Sequence, residues 1–460
     1  MAVDRGDRGK SRRRRRFKSL GEPTSLWKGT ANVYQLDWVS QRVARADSAA
    51  ATVPRVRVSS TVWLLGITSC LTDVSSEMVN AILPLYLVGF LRLNPLQFGL
   101  IDGLYQGISA LVRIVGGIAA DRWRQHKTAA AAGYGLSAAC KLALLAAGSS
   151  WPAIAGVITL DRIGKGLRTA PRDALIVLSS DKSMLGASFG VHRALDALGA
   201  MIGPIVAFLI LQSITSGYDV VFLVSFAFAV IGLSVLLLFV EPKSALAATG
   251  AQAASNVRAM VRSVFEQRGF GRLVLAASLL AFATMSDAFI YLTLQDRLTF
   301  SPTVFPLLYV ATSLVYVVAA APAGRLADRI GTRHVFLAGY VVLGIVYVTL
   351  TSATLGVTGA AVGIVALGMY YAATDGVLMA LAAKLLPAHT CATGLAVLVT
   401  CTNLARLASS IAFGWLWTVG DVTTAVRAFG GMLAVALLFA TYTFTRTRFE
   451  ISERSTTDGE

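Results

Sequence analysis

Charge is scarce in this chain. Only 14% of its 460 residues are Asp, Glu, Lys or Arg, whereas a soluble domain carries about a quarter, so too little charge is present to cover a water-facing globule. Histidine and cysteine are scarcer, with four of each. Cys70, Cys140, Cys391 and Cys401 all stand inside apolar blocks, without Cys-x-x-Cys or Cys/His ligand spacing. That spacing excludes a disulfide framework and gives no metal site; the four read as small buried hydrophobes. No Ser/His/Asp order is visible, and the phosphate-cradling Gly-x-x-x-x-Gly-Lys-Ser/Thr is missing. Hydrolytic catalysis and ATP hydrolysis thus lack their residues, and neither enzyme activity, cofactor nor metal is expected.

What is present is apolar sequence, 55% of the chain, gathered into long blocks rather than amphipathic stripes. A helix crosses a bilayer with roughly 20 such residues, and about twelve blocks reach that length. The expected spans are 60–90, 96–119, 128–148, 152–178, 187–212, 218–240, 271–294, 303–324, 335–352, 357–383, 390–418 and 423–444. The expected class is an all-α membrane protein of twelve transmembrane helices in two pseudo-symmetric six-helix bundles. Its divisions are a basic tail (1–58), a first bundle (59–240), a linker (241–270), a second bundle (271–445) and a second tail (446–460). The run Arg12 to Arg16 has no apolar core behind it until Val62, unlike a signal peptide. It reads as a disordered cytoplasmic tail, with polybasic contact to anionic lipid as the alternative.

The formal net charge of +16 would suggest nucleic acid in a soluble protein, but here it collects in the N-terminal tail and in alternate loops. Arg122, Arg124 and Lys127 follow span two, Lys182 follows span four, and Arg325, Arg329 and Arg333 follow span eight, while the loops after spans three, five and nine have no basic residue. The positive-inside rule then puts both termini and the even-numbered loops in the cytoplasm. The linker, with Lys243, Arg258, Arg262 and Arg268, divides the spans six and six. An internal repeat supports that division. Gly117-Ile-Ala-Ala-Asp121-Arg122-Trp-Arg124 follows span two, and Gly324-Arg-Leu-Ala-Asp328-Arg329-Ile-Gly331-Thr-Arg333 follows span eight, the two aspartates 207 residues apart (328 − 121). Repeats of this kind are how many transporters are built.

The pattern Gly-x-x-x-Asp-Arg-x-Gly-x-Arg resembles the signature loop of the major facilitator superfamily. The resemblance covers about 60–445. It implies that this loop latches the cytoplasmic side when the protein faces outward. The second copy is complete; the first has Arg124 where the family has glycine. A carboxylate at such a helix end can pair with Arg on a neighbouring span, and Arg172 is the candidate partner of Asp121. Arg162-x-x-Lys165-Gly166 on span four resembles the family's pattern associated with proton coupling. Gly199-x-x-x-Gly203-Pro204 on span five is similar to the motif of the exporting, drug–proton antiporter branches; its glycines allow close helix approach and its proline a bend. Asp73-Val-Ser-Ser-Glu77-Met, together with Asp161 to Leu175, resembles a bacterial subgroup of poorly characterised transporters, some of them associated with magnetosomes and iron.

An ionisable group in a membrane helix is costly unless paired or wetted, and so marks a candidate site. Span four is densest. Asp161, Lys165, Arg168 and Arg172 recur at i, i+4, i+7 and i+11, one stripe of a helix. At about 1.5 Å per residue, Arg162 on span four and Asp196 on span five both lie roughly 14 Å deep, near the midplane. Arg162 is expected to share a cavity with Asp73 or Asp196. Asp73 comes first, because the resemblance puts spans one and four beside the central cavity. Arg168 and Arg172 are expected to snorkel at the cytoplasmic face. A carboxylate alternating between Arg and a proton would couple proton flow to conformation; the alternative is a static ion pair that orients helices. Glu77, one turn beyond Asp73, is a second carboxylate. Asp102 and Arg113 (span two), His192 and Arg193 (span five), Asp287 (span seven), Asp375 (span ten) and Arg406 (span eleven) line the path or form structural pairs.

The function expected is secondary active transport by alternating access: proton-coupled efflux of a small organic solute across a bacterial plasma membrane. The chain is expected to act as a monomer on a small-molecule substrate and protons in the lipid bilayer, with no nucleic acid. A proton-coupled importer of a nutrient or metal/iron complex is the rival, and a non-transporting receptor or scaffold the rival of another class.

Overall fold

Hydrocarbon offers a peptide group no hydrogen-bond partner, so a chain within it satisfies its backbone internally. The apolar blocks do this as α-helices. The computed structural model describes residues 58–123, 125–181, 184–241, 257–267, 269–352 and 356–446, apart from the side chains of 110, 113–123, 257–260, 388, 389, 392 and 446. The expected N-terminal tail up to 57, linker residues 242–256 and 268, and the tail from 447 lie outside the described residues.

The helices are α1 (Ser60–Pro84), α2 (Pro95–Trp123), α3 (His126–Ala146), α4 (Trp151–Leu178), α5 (Leu185–Ser213), α6 (Tyr218–Phe239), α7 (Val257–Phe265), α8 (Phe270–Phe282), α9 (Asp287–Leu298), α10 (Phe305–Ile330), α11 (Thr332–Thr351), α12 (Val357–Ala383), α13 (Ala388–Val419) and α14 (Val422–Arg446). No strand occurs among the described residues. Their ends follow local chemistry. The Ser59 hydroxyl accepts from the Thr61 N–H ahead of α1, and Pro152 and Pro306 sit in first turns, where a missing N–H loses nothing. Asp421 Oδ1 accepts from the Thr424 N–H at 2.9 Å ahead of α14. The Thr424 hydrogen bonds hold that carboxyl below its usual range, so its small contribution is present above the unfolded pKa and fades as pH falls through the folded one.

Nine helical stretches among the described residues are long and apolar enough to cross a membrane. The helices α1, α2 and α4 are long as well, at 25, 29 and 28 residues. They fall outside that set because they carry much of the polar chemistry. Burial is inverted relative to a soluble protein: Leu238, Val348, Val357 and Leu438 are 70–81% exposed, while Lys141, Asp161, Arg162 and Arg168 are at most 6% exposed. An apolar exterior around charged groups suits lipid outside and a wet or paired interior.

The seventh expected span is broken. Helix α8 stops at Phe282 and α9 starts at Asp287, with no proline between. The opened backbone finds partners on neighbouring helices: Tyr347 Oη donates to Ala283 O and accepts from Met285 N, and Ser409 Oγ donates to Thr284 O. The break puts Asp287 in the first turn of α9, where the helix dipole favours a carboxylate.

Packing pairs recur along the chain. Helix α1 packs on α5 and α6, α4 on α2 and α3, and α3 on α6; later, α8 packs on α13 and α14, α12 on α10 and α11, and α11 on α14. Contacts linking early helices to late ones run chiefly through α2 with α13 and α5 with α10, with smaller ones from α1 to α9 and α10. The linker also holds a helix that the sequence reading did not expect, α7, which packs on α13 and α8.

Candidate functional site

Helix α4 is the axis of the charged site. Its Asp161 accepts from Lys141 Nζ of α3 at 3.0 Å and from the adjacent Arg162. Arg162 in turn lies over the Tyr105 ring of α2, 3.8 Å from its centroid, a cation–π contact strengthened by desolvation. One and a half turns on, Arg168 pairs with Asp73 of α1 at 3.7 Å and covers the Tyr134 ring of α3 at 4.5 Å. Arg172 donates to Ser69 Oγ of α1 at 2.9 Å and to Asp173, and its Nη1 lies 3.9 Å from Asp196 of α5. Four helices thus meet the charged face of a fifth.

The partner expected for Asp73 is therefore displaced. Arg168 holds Asp73, and Arg162 belongs to Asp161, Lys141 and Tyr105. A helix turns about 100° per residue, so Arg162 and Arg168, six apart, point in different directions. Nor do Arg168 and Arg172 snorkel; they are 3% and 9% exposed, buried among α1, α3 and α5. Lys165 makes no ion pair within 4.0 Å among the described residues, yet lies within electrostatic reach of Asp73 and Glu77. Glu77 accepts from Asn80 Nδ2 at 2.9 Å. His192 Nε2 lies 3.5 Å from Asp196, and Arg193 is exposed on α5, within reach of Tyr316 of α10.

Small residues set these distances. Gly133 of α3 and Gly164 of α4 face each other, and a Cβ on either would lie 2.7–2.8 Å from the other's carbonyl oxygen. Replacing Gly164 by Val is expected to push α3 from α4, costing about 1–3 kcal/mol by overpacking, and to loosen Arg168 with it. A lower thermal unfolding midpoint in detergent checks this; an unchanged midpoint contradicts it. Gly203 of α5 likewise lies on α1, where a Cβ would stand 2.7 Å from Val74 O, and Gly199 abuts Cys70. Pro204 follows inside α5.

Asp102 of α2 sits on a seam with α13, accepting from Ser410 Oγ at 2.6 Å and Gln106 Nε2 at 3.1 Å. Gly99, Gly103 and Gly107 bring α2 onto Leu407, Ser410 and Gly414 of α13, and Leu96 N donates to Thr418 Oγ1 at 3.0 Å.

A second focus is a cavity of about 200 Å³ lined by Asp287, Tyr291, Tyr309, Tyr316, Tyr371 and Asp375, with the Thr312 and Ser313 hydroxyls. Tyr371 Oη donates to Asp287 Oδ1 at 2.5 Å, and Tyr291 Oη to Thr312 Oγ1 at 2.7 Å. Arg406 lies within electrostatic reach of Asp287 and Asp375.

The signature copies fare differently. Gly324, Asp328 and Arg329 lie in the last turns of α10, Gly331 turns the chain at φ 98°, and Arg333 opens α11. That φ lies in the left-handed region that glycine tolerates. In the first copy Gly117 lies within α2, while the side chains of Asp121 and Arg122, all of Arg124, and the Arg113 side chain lie outside the described residues, as does an Asp121–Arg172 pair.

Lys141 was missed in sequence, although a lone lysine within an apolar block is itself a signal. The Ser69 and Ser410 contacts and the break before Asp287 carried no such mark.

The family model of the Major Facilitator Superfamily matches residues 65–301 and 273–459. The chain belongs to the major facilitator superfamily. As a major facilitator protein it is a membrane transporter by family. An uncharacterized MFS-type transporter of Methanocaldococcus jannaschii is 32% identical over 388 residues, 82% of this chain and 93% of that protein. An uncharacterized protein of Mycobacterium tuberculosis (strain CDC 1551 / Oshkosh) is 32% identical over 166 residues, covering 35% and 40%. Among solved structures, the nucleoside transporter NupG (D323A mutant) is similar at TM-score 0.70 and 14% identity over 84% of this chain and 100% of that one. A POT family transporter in complex with 5-aminolevulinic acid is similar at TM-score 0.70 and 15% identity, covering 84% and 96%. At such identities the likeness carries the major facilitator fold and no substrate.

Proposed function

We propose that this major facilitator protein is a proton-coupled secondary transporter exporting a small organic solute by alternating access. The observation that carries the proposal is the Asp73–Arg168 pair. Its arginine side chain is 4% exposed, its carboxylate side chain 17% exposed, and the separation is a loose 3.7 Å. A carboxylate with one face to a buried guanidinium and the other open can exchange that partner for a proton. Lys165 and Glu77 stand beside it as the next groups to sense the exchange. The Gly199, Gly203 and Pro204 motif of α5 supports export by its resemblance to that of exporting branches, and it packs against α1 beside the segment from Asp73 to Glu77.

The recurring helix pairs and the 207-residue spacing of Asp121 and Asp328 support twelve spans in two six-helix bundles, and the basic even-numbered loops support cytoplasmic termini in a plasma membrane. In that frame Pro95 and Thr418 lie at outer helix ends, so the α2–α13 seam supports a state closed to the outside. The two signature copies, with Arg172, then act at the cytoplasmic gate.

The test is direction. In inverted vesicles with an acidic lumen, so that protons run outward, an exporter exchanging solute for protons is expected to accumulate solute several-fold over a gradient-free control. Accumulation only in right-side-out vesicles with an acidic bath means an importer, and no gradient dependence in either means the proton coupling is wrong.

A further inference from the structure

We propose that the tyrosine-lined cavity is a binding site for a small organic cation, of the ammonium type, which names the substrate class for the transporter reading and rests on it for its physiological meaning. Every ionisable side chain lining the cavity other than tyrosine is a carboxylate, Asp287 or Asp375, and no basic side chain lines it. An anion entering would meet two negative charges and no donor cation. The two tyrosine hydroxyls with assigned partners are spent on the protein, Tyr371 on Asp287 and Tyr291 on Thr312. What these rings then offer is their π-faces, which attract cations when positioned within about 6 Å. The Tyr291 and Tyr309 rings meet edge to face at 4.6 Å between centroids, forming a corner rather than a flat wall.

The carboxylates are not neutralised by the protein. Among the described residues Asp375, which is exposed, makes no ion pair, and Asp287 accepts only the neutral Tyr371 hydroxyl, at 2.5 Å. Arg406 is the cation that senses both, but it pairs with neither and does not line the cavity. Arg193 senses Tyr316 from α5 and is likewise outside the lining. Both arginines are set back from the lining, so the two acids of the cavity wall are the charges that an entering molecule meets at contact. The aromatic walls fit an alkylated ammonium better than a hydrated metal ion, which wants oxygen ligands on several sides.

Binding is measured by titration calorimetry on the full chain in nanodiscs. The probes are choline and benzyltrimethylammonium, with 3,3-dimethyl-1-butanol as the neutral carbon isostere of choline. At least one cation is expected to bind saturably, with the isostere at least tenfold weaker than choline. Asp375→Asn is expected to weaken cation binding at least tenfold, and Tyr316→Leu about fivefold, whereas Tyr316→Phe, which keeps the ring, retains it. Thermal unfolding confirms that each variant is folded. The proposal fails if the isostere binds as well as choline, if folded Asp375→Asn binds the cations undiminished, or if neither cation binds the folded wild type. The same cations are then followed in inverted vesicles. Binding without gradient-driven movement overturns the exporter reading and leaves the site standing; gradient-driven movement of another solute without cation binding overturns the site alone.

Discussion

Asp73→Asn is expected to abolish proton-driven transport while the protein still reaches the membrane. The substitution keeps the shape of the side chain and removes the charge that faces Arg168 at 3.7 Å. Asn neither takes up a proton nor releases one in the working range, so the exchange of partners has no second state. Folding recovered without transport separates coupling from mere orientation of helices. Removing one partner of a buried pair leaves an uncompensated charge, at a cost of about 3–5 kcal/mol, whereas replacing both is often near neutral. Arg168→Gln alone is therefore expected to lower the thermal midpoint more than the double variant Asp73→Asn/Arg168→Gln. The double variant should recover folding and not transport. Gradient-driven transport in either Asp73 variant at the wild-type rate would reduce the pair to a static strut.

Gly103→Leu is expected to cut transport at least tenfold by keeping the α2–α13 seam from closing. A Cβ at Gly103 would stand 2.8 Å from the Leu407 carbonyl oxygen, and backbone at that distance has no room to yield. The helices must part, which also opens the hydrogen bond from Ser410 to Asp102. In a background without the four native cysteines, a cysteine at Thr418 should react several-fold faster with a membrane-impermeant maleimide when Gly103 is Leu. Unchanged labelling together with unchanged transport would mean that the seam is not a moving part.

Both predictions rest on contacts between helices distant in sequence, and here the reading from sequence and the structure part company. The apolar blocks, the scarcity of charge and the two Asp-Arg loops announced membrane helices and the family. Hydrocarbon leaves a backbone few choices, and a block of roughly 20 residues is read without knowing its neighbours. The stripe of Asp161, Lys165, Arg168 and Arg172 was legible too, because a stripe on one helix depends on period alone. Which carboxylate met which arginine was not. That depends on the rotation and spacing of α1, α3 and α4, set by close approaches such as Gly133 on Gly164, and these moved Asp73 from Arg162 to Arg168.

Scarce charge, the starting point of the sequence reading, keeps its meaning in the structure. By itself the sequence determined that a small set of charges, those standing in apolar blocks, lies within membrane helices. Tertiary structure alone decided how they are divided: a paired network around α4, and two carboxylates facing a tyrosine-lined cavity with no basic side chain in its lining. Pair energies fall off with distance and depend on solvation, and both are properties of packed helices rather than of any one segment.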